Sequence, residues 1–148
     1  MLSNWNNQAV LDRETGLVWE RSPLAPCTNP LFCVVIDNGG RNWSDAQLHC
    51  NNIVAVGNRR GWRLPTVQEL ASLGDADPAN TSSPRLPPGS PFTAIQSGIY
   101  WWATTDADNT AAAWFVDFFS GLSGRNDSKV GGLHFVWCVR GGQGVDLQ

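Results

Sequence analysis

The side chains best suited to covalent or metal chemistry in this sequence are four cysteines and two histidines. Cys27 and Cys33 lack the close spacing of a zinc knuckle, and Cys50 and Cys138 each stand alone. Four cysteines in a small domain allow three disulfide pairings, and we favour two disulfides over a metal site. Because disulfides persist in oxidising compartments, the sequence predicts an extracytoplasmic protein, either periplasmic, surface-bound or secreted.

Catalytic signatures are missing from the sequence. It contains no Ser/His/Asp array, no glycine-rich phosphate loop and no histidine metal motif. His49 adjoins Cys50, and His134 shares an alternating apolar run with Cys138, so a packed or hydrogen-bonded role is favoured for both. We therefore expect a protein that is not an enzyme.

Two short clusters of oxygen-bearing side chains are the only candidates for calcium. They are residues 75–77 (DAD) and 106–109 (DADN). Calcium needs about six to eight converging oxygens, whereas Asp and Asn also recur in turns for their own reasons. The calcium tripeptides of sugar-binding lectins are not present. We prefer the turn role and expect no cofactor, with calcium as the alternative.

The charge balance limits the class of partner. A net charge of -3 argues against nucleic-acid binding, which needs a basic surface. It also disfavours a sulfated polyanion, unless the basic residues gather on one face.

No apolar run is long enough to cross a bilayer, so no direct membrane insertion is expected. No signal-peptide pattern opens the chain, so an exported domain would either begin after its signal or belong to a larger protein.

The elements predicted from periodicity begin with a hairpin and two helices. Residues 9–11 and 17–19 read as hairpin strands around a turn at 12–16, and residues 31–36 read as another short strand. Capping boxes at Ser44–Gln47 and Thr66–Glu69 predict the starts of two helices, with Ala46 and Cys50 on the inner face of the first.

The second half of the chain is predicted to be a long loop followed by strands. Residues 75–97 read as a surface loop that Leu86 and Phe92 pin to the core. Strands are predicted at residues 99–104, 112–119 and 133–140, with a polar loop at 120–132. The sequence therefore predicts one α+β domain over residues 1–148, with two short helices packed on a twisted antiparallel sheet and a core at about residues 8–142.

Two disulfides suit this order of elements. A Cys27–Cys33 bridge would close a small local loop, and a Cys50–Cys138 bridge would tie the first helix to the last strand. Closing a loop of about 90 residues contributes roughly 4 to 5 kcal/mol in the chain-entropy model.

Several motifs resemble one bacterial family. They are residues 15–19 (TGLVW), the helix 43–50 with its W-x-x-A-x-x-x-C pattern, residues 61–66 (GWRLPT) with Glu69-Leu70, Tyr100-Trp101, residues 113–118 (AWFVDF), Lys129 and residues 138–142 (CVRGG). Over residues 8–142 they resemble the domain family named after the C-terminal domain of the Legionella collagen-like adhesin. The resemblance implies a C-type-lectin-like fold, related to formylglycine-generating enzymes and phage receptor-binding proteins, in bacterial exported proteins. The named adhesin binds sulfated glycosaminoglycans and trimerises.

The same resemblance places ligands on the long loops and on the exposed face of the terminal sheet. The candidate ligand-binding residues are therefore Trp102, Thr104, Asp106, Arg125, Asn126, Asp127, Lys129 and Trp137. Trp102 and Trp137 depart from the family's pattern, in which a small polar and a basic residue stand at these positions. Because tryptophan serves both as core filler and as a contact surface, core packing is the alternative for these two rings.

The sequence thus favours a non-enzymatic recognition domain that binds a glycan or a cell-surface protein. A structural module that forms a homotrimer within a larger exported or phage-type protein is the second hypothesis. An oxidoreductase of the formylglycine-generating type is the third, and it would require a free cysteine pair that holds copper.

Overall fold

The computed structural model describes residues 5–23, 40–52, 56–75, 77, 79–120 and 122–142, with the backbone alone for 122–126. Among these residues, two short helices and two antiparallel sheets give the α+β class that the sequence predicts. The elements are β1 (Ala9–Leu11), β2 (Val18–Glu20), α1 (Trp43–Asn52), β3 (Trp62–Arg63), α2 (Val67–Ala71), β4 (Ile99–Thr105), β5 (Ala112–Asp117), β6 (Leu122–Ser128) and β7 (Val139–Arg140).

The first sheet joins the two ends of the described chain. Its strand order is β1-β2-β7-β3, and every neighbouring pair is antiparallel. The predicted hairpin is confirmed, with Ala9 opposite Glu20 and Gly16 at φ 73° in the turn. Strand β7, the last described strand along the chain, lies between β2 and β3 in the interior of this sheet.

The second sheet, of order β4-β5-β6, corrects two predictions. Residues 120–132 were expected to form a polar loop, but β6 occupies most of that range and pairs with β5. An edge strand needs only backbone hydrogen bonds along one side, so a polar, glycine-containing segment can form one. Residues 133–140 were expected to form one continuous strand of this sheet. Instead they make isolated bridges at His134 and Phe135 and join the first sheet only as β7.

The two helices differ in how well their starts were predicted. The Thr66–Glu69 capping box of α2 is confirmed, since the Thr66 hydroxyl accepts from the Glu69 N–H and the Glu69 carboxylate accepts from the Thr66 N–H. The Ser44 capping box of α1 is wrong. Asn42 caps α1 instead, with its side-chain oxygen accepting from the Asp45 N–H at 2.9 Å and its amide donating to the Asp45 carboxylate. Asn and Ser are about equally good N-caps, so residue type alone did not indicate that the helix begins after Asn42, two positions before Ser44.

Two groups of buried side chains form the core, and the Cys50–Cys138 disulfide lies in the first. As predicted, this bridge ties α1 to the residue that precedes β7, across 88 positions of sequence. Four tryptophans have essentially no exposed surface: Trp19, Trp62, Trp101 and Trp137. The predicted Cys27–Cys33 bridge and the predicted strand at 31–36 lie outside the described residues.

The long connection between α2 and β4 is held at several points. Its described part, residues 72–75, 77 and 79–98, contains neither helix nor strand. Leu86 and Phe92 pack against the second core group, as expected, and the Phe92 ring meets Trp137 edge to face at 4.7 Å.

No helix in the described part of the chain has both the length and the apolar character that crossing a membrane requires.

The α2 cap gives a direct test of local stability. Thr66→Ala removes the hydroxyl that accepts from the Glu69 N–H, so we expect the free energy of unfolding to fall by about 1 kcal/mol. Thr66→Ser keeps the hydroxyl and should restore most of that loss. Chemical denaturation of the three proteins measures the difference, and equal losses in both variants would contradict the capping role.

Candidate binding surface

A tight turn at residues 57–61 (GNRRG) carries the most concentrated positive charge described. Gly57 and Asn58 have φ values of 61° and 53°, in the left-handed region that favours glycine and tolerates asparagine. A Cβ on Gly57 would lie 2.8 Å from Cε3 of Trp5. Only glycine therefore allows the turn to approach the indole so closely. This approach presents the next two residues, Arg59 and Arg60, to solvent.

Arginines from two distant parts of the chain meet over the Trp5 ring. The guanidinium carbons of Arg59 and Arg140 each lie 5.6 Å from the ring centroid, within cation–π range. Nε of Arg140 donates to the Arg60 carbonyl at 2.7 Å, which links β7 to the turn. The indole is 8 % exposed and meets Trp62 edge to face at 6.0 Å. We refer to Trp5, Arg59, Arg60 and Arg140 as the arginine corner.

The positive charge of this corner is uncompensated within the described structure. Arg63 is neutralised by two contacts with the Glu69 carboxylate, at 2.8 and 2.7 Å. For Arg59, Arg60 and Arg140, by contrast, no described carboxylate lies within salt-bridge distance. Three of the ten Lys and Arg residues of the chain therefore lie close together here.

Arg63 serves the fold. Besides Glu69, its guanidinium donates to the carbonyls of Leu64 and Gly141 at 3.1 and 2.8 Å. It thus joins the start of α2 to the residue after β7. A guanidinium has five N–H donors and can therefore connect several acceptors in this way.

The two tryptophans among the predicted ligand-binding residues are core residues. Trp137 has no exposed surface, and its Nε1 donates to the Glu20 carbonyl at 2.9 Å. Trp102 is 3 % exposed and stacks on Trp114 at 5.8 Å, with the ring planes 7° apart. The core-packing alternative describes both rings.

Lys129 lies beside the end of β4 and braces it. Its Nζ donates to the Thr105 hydroxyl at 2.7 Å and to the Thr110 carbonyl at 2.9 Å. It also lies 4.2 Å from the centroid of the Trp43 ring. Partial desolvation lowers the pKa of Lys129. Its contacts hold the β4–β5 connection against the start of α1.

The other predicted site residues have varied surroundings. Asp106 is buried, and its carboxylate accepts from the Asp108 N–H at 3.0 Å. Thr104 is half-buried, and its hydroxyl has no hydrogen-bond partner among the described residues. Asp127 pairs with His134 at 2.9 Å. The side chains of Arg125 and Asn126 lie outside the described part of the structure, although their backbone belongs to β6.

The two oxygen clusters considered as calcium candidates form hydrogen bonds within turns. The Asp75 carboxylate accepts from the Asp77 N–H and from the Asn80 amide, and Asp77 accepts from the Ala79 N–H. The amide oxygen of Asn109 likewise accepts from the Ala111 N–H. These are the side chain-to-backbone bonds that make Asp and Asn common in turns.

Polar side chains from two other residues lie close to the disulfide. A Glu20 carboxyl oxygen, a His49 ring nitrogen and the Cys138 sulfur all lie within 4.8 Å of one another. One Glu20 oxygen accepts from the Cys138 N–H at 2.9 Å. Burial raises the pKa of Glu20 to about 8, although this hydrogen bond and the Arg41 charge oppose the rise. Burial, with help from the Arg41 charge, lowers the pKa of His49 to about 4.

The fold and the surface together define a disulfide-tied α+β domain with an exposed cationic corner and a tryptophan-rich core. The family model of the Lcl C-terminal domain matches residues 8–140, and the chain belongs to that family. Comparison with curated proteins gave no match. Membership indicates an adhesin-like domain. With the Cys50–Cys138 bridge, it is compatible with an extracytoplasmic location.

The arginine corner was missed by sequence reasoning. The signal available was the pair Arg59-Arg60 between two glycines, in a chain with few basic residues. Nothing in the sequence, however, indicates that Arg140 or Trp5 would join that pair, because these residues are brought together by the order of strands in the first sheet.

The buried Glu20 carboxyl predicts a pH dependence of stability in the disulfide-bonded, metal-free protein. Between pH 6.5 and 8 the unfolded Glu20, with an ordinary pKa of 4.5, is ionised while the folded one keeps its proton. The free energy of unfolding should therefore fall as the pH rises, by up to about 1.4 kcal/mol per pH unit. His49 has the opposite effect, but only below its ordinary pKa of 6.5.

Glu20→Gln is the matched control, since it keeps an acceptor for the Cys138 N–H but cannot ionise. Denaturant unfolding from pH 6.5 to 8.5 should show a falling stability for the parent protein and a flatter profile for the variant. Parallel profiles would show that Glu20 does not carry the effect.

Proposed function

We propose that this domain is a non-enzymatic recognition module of an exported bacterial protein and that its ligand is an acidic glycan. The observation that carries the proposal is the arginine corner, where the guanidinium groups of Arg59 and Arg140 lie over Trp5 beside the exposed Arg60, without a described carboxylate within salt-bridge distance. Membership of an adhesin-like family supports recognition as the general role. The disulfide supports an oxidising location for it.

The chemistry of guanidinium suits an acidic glycan. Its planar fork donates two parallel hydrogen bonds to a sulfate or carboxylate, and such charge-assisted bonds are stronger than neutral ones. The Trp5 ring restricts where Arg59 and Arg140 can lie, so less conformational entropy is lost when a ligand binds. The overall charge of -3 would repel a polyanion elsewhere on the surface and thereby favour this corner.

A surface protein with an acidic patch is the second ligand class that the same corner supports. A glycan offers repeated sulfate or carboxylate groups at regular spacing, whereas a protein would also need an apolar contact area. The described corner offers mainly charge, with a largely buried indole beneath it. This favours the glycan. The homotrimeric assembly module, which was the second hypothesis from the sequence, stays a prediction. Sedimentation at several protein concentrations would test it.

Arg59→Ala tests the proposal. Loss of one charge-assisted contact should weaken binding of a sulfated oligosaccharide roughly tenfold, and added salt should weaken the parent protein's binding. Arg85→Ala removes the same charge from the long loop and is the matched control, for which affinity should change little. Arg59→Lys keeps the charge without the planar fork and should fall between the two.

Isothermal titration with a sulfated and a desulfated oligosaccharide provides the readout, with near-ultraviolet circular dichroism as the check on folding. Equal affinities in Arg59→Ala and Arg85→Ala, or equal binding of the two sugars, would contradict the proposal. Binding of an acidic peptide but neither sugar would support the protein ligand instead.

A further inference from the structure

The group around the disulfide contains the three kinds of donor atom that bind zinc in proteins. A carboxyl oxygen of Glu20, a ring nitrogen of His49 and the sulfur of Cys138 lie within 4.8 Å of one another. The fourth donor is adjacent, since the sulfur of Cys50 is bonded to that of Cys138. Zinc in structural sites takes four such ligands in a tetrahedron.

Glu20 adds a second observation at this group. Its side chain is 1 % exposed, and one carboxyl oxygen accepts from the Cys138 N–H. The other oxygen, Oε1, has no hydrogen-bond partner among the described residues. A buried carboxyl oxygen without a partner is costly, so such an atom calls for a proton or a cation beside it. Neither the arginine corner nor the proposed recognition role uses this group.

The disulfide decides whether the sulfurs can serve as ligands, because metals bind thiolates. Either two thiols, which become a disulfide, or a phosphine with water, which becomes a phosphine oxide, supply the two electrons and two protons that turn the S–S bond into two thiols. A divalent cation that then binds displaces both protons to solvent, and Cys50 and Cys138 bind it as thiolates. Metal–ligand bonds of about 2.0 to 2.3 Å require the two sulfurs to move apart after reduction, while the Glu20 oxygen, the His49 nitrogen and the Cys138 sulfur draw closer from their present spacing of within 4.8 Å.

We propose that Cys50, Cys138, His49 and Glu20 form a buried site for Zn²⁺ or a similar thiophilic divalent cation when the disulfide is reduced. The metal then ties α1 to the segment before β7 in place of the covalent bond. A disulfide or molecular oxygen that takes two electrons from the two thiolates restores the S–S bond and releases the metal ion. The domain therefore has two exclusive ways of making the same connection, one metal-bound and reduced, the other metal-free and oxidised.

Cobalt(II) titration of the reduced full chain tests this site. Replacing Cys27 and Cys33 by serine leaves Cys50 and Cys138 as the only source of thiolate. After reduction with a phosphine in the absence of oxygen, we expect one cobalt ion per chain and a thiolate-to-cobalt charge-transfer absorption. His49→Gln and Glu20→Gln should each weaken cobalt affinity at least tenfold. His134→Gln, which alters the other histidine, should leave it unchanged.

Folding is followed in the same samples by far-ultraviolet circular dichroism. If reduction unfolds the chain, cobalt or zinc should restore the native spectrum, and the oxidised protein should bind neither ion with thiolate absorption. The proposal is overturned by a reduced protein without charge-transfer absorption, or by one that metal does not refold. Equal cobalt affinities in His49→Gln and His134→Gln would also overturn it.

Discussion

The segment from Val136 to Val139 is the constraint on which the rest of the described structure depends. Its side chains alternate between the two core groups, with Val136 and Cys138 in the first and Trp137 and Val139 in the second. Strand β4 does the same, since Trp101 faces the first group and Tyr100 and Trp102 face the second. A chain buried on both sides can occupy only one register, because a shift of one residue would exchange its two faces.

The disulfide and the Glu20 carboxyl fix this segment at its most buried point. Cys138 is bonded to Cys50 on α1, and its N–H donates to Glu20 at the end of β2. Directly beyond it, Arg140 leaves the core and reaches the Arg60 carbonyl. The same few residues thus set the cores, the first sheet and the arginine corner. The surface that we propose for binding is therefore rigidly connected to the interior.

Sequence periodicity predicted the parts of this structure that depend on local chemistry. The hairpin, the α2 capping box and the inward position of Cys50 on α1 follow from neighbouring residue types or from helical and strand spacing. Strand β6 was missed because edge pairing uses backbone atoms that composition does not reveal. Trp102 and Trp137 could not be assigned to core or surface, since both sides of their strands are apolar.

The candidate binding surface was predicted from the sequence less well than the fold was. Charge counted over the whole chain argued against an anionic ligand, yet three arginines gather where the first sheet closes. Lys129 and Asp106, nominated because the resembled fold places ligands on its loops, form hydrogen bonds within the β4–β5 connection. Local charge density depends on strand order, which joins residues more than 80 positions apart.

The most direct test of the central claim is to map a sulfated oligosaccharide onto the ¹⁵N-labelled, disulfide-bonded protein by nuclear magnetic resonance. The account predicts that chemical-shift changes concentrate at the Trp5 indole N–H and at the amides of residues 57–61 and 140. Changes concentrated instead at residues 102–110 and 129, or no changes at all, would contradict it.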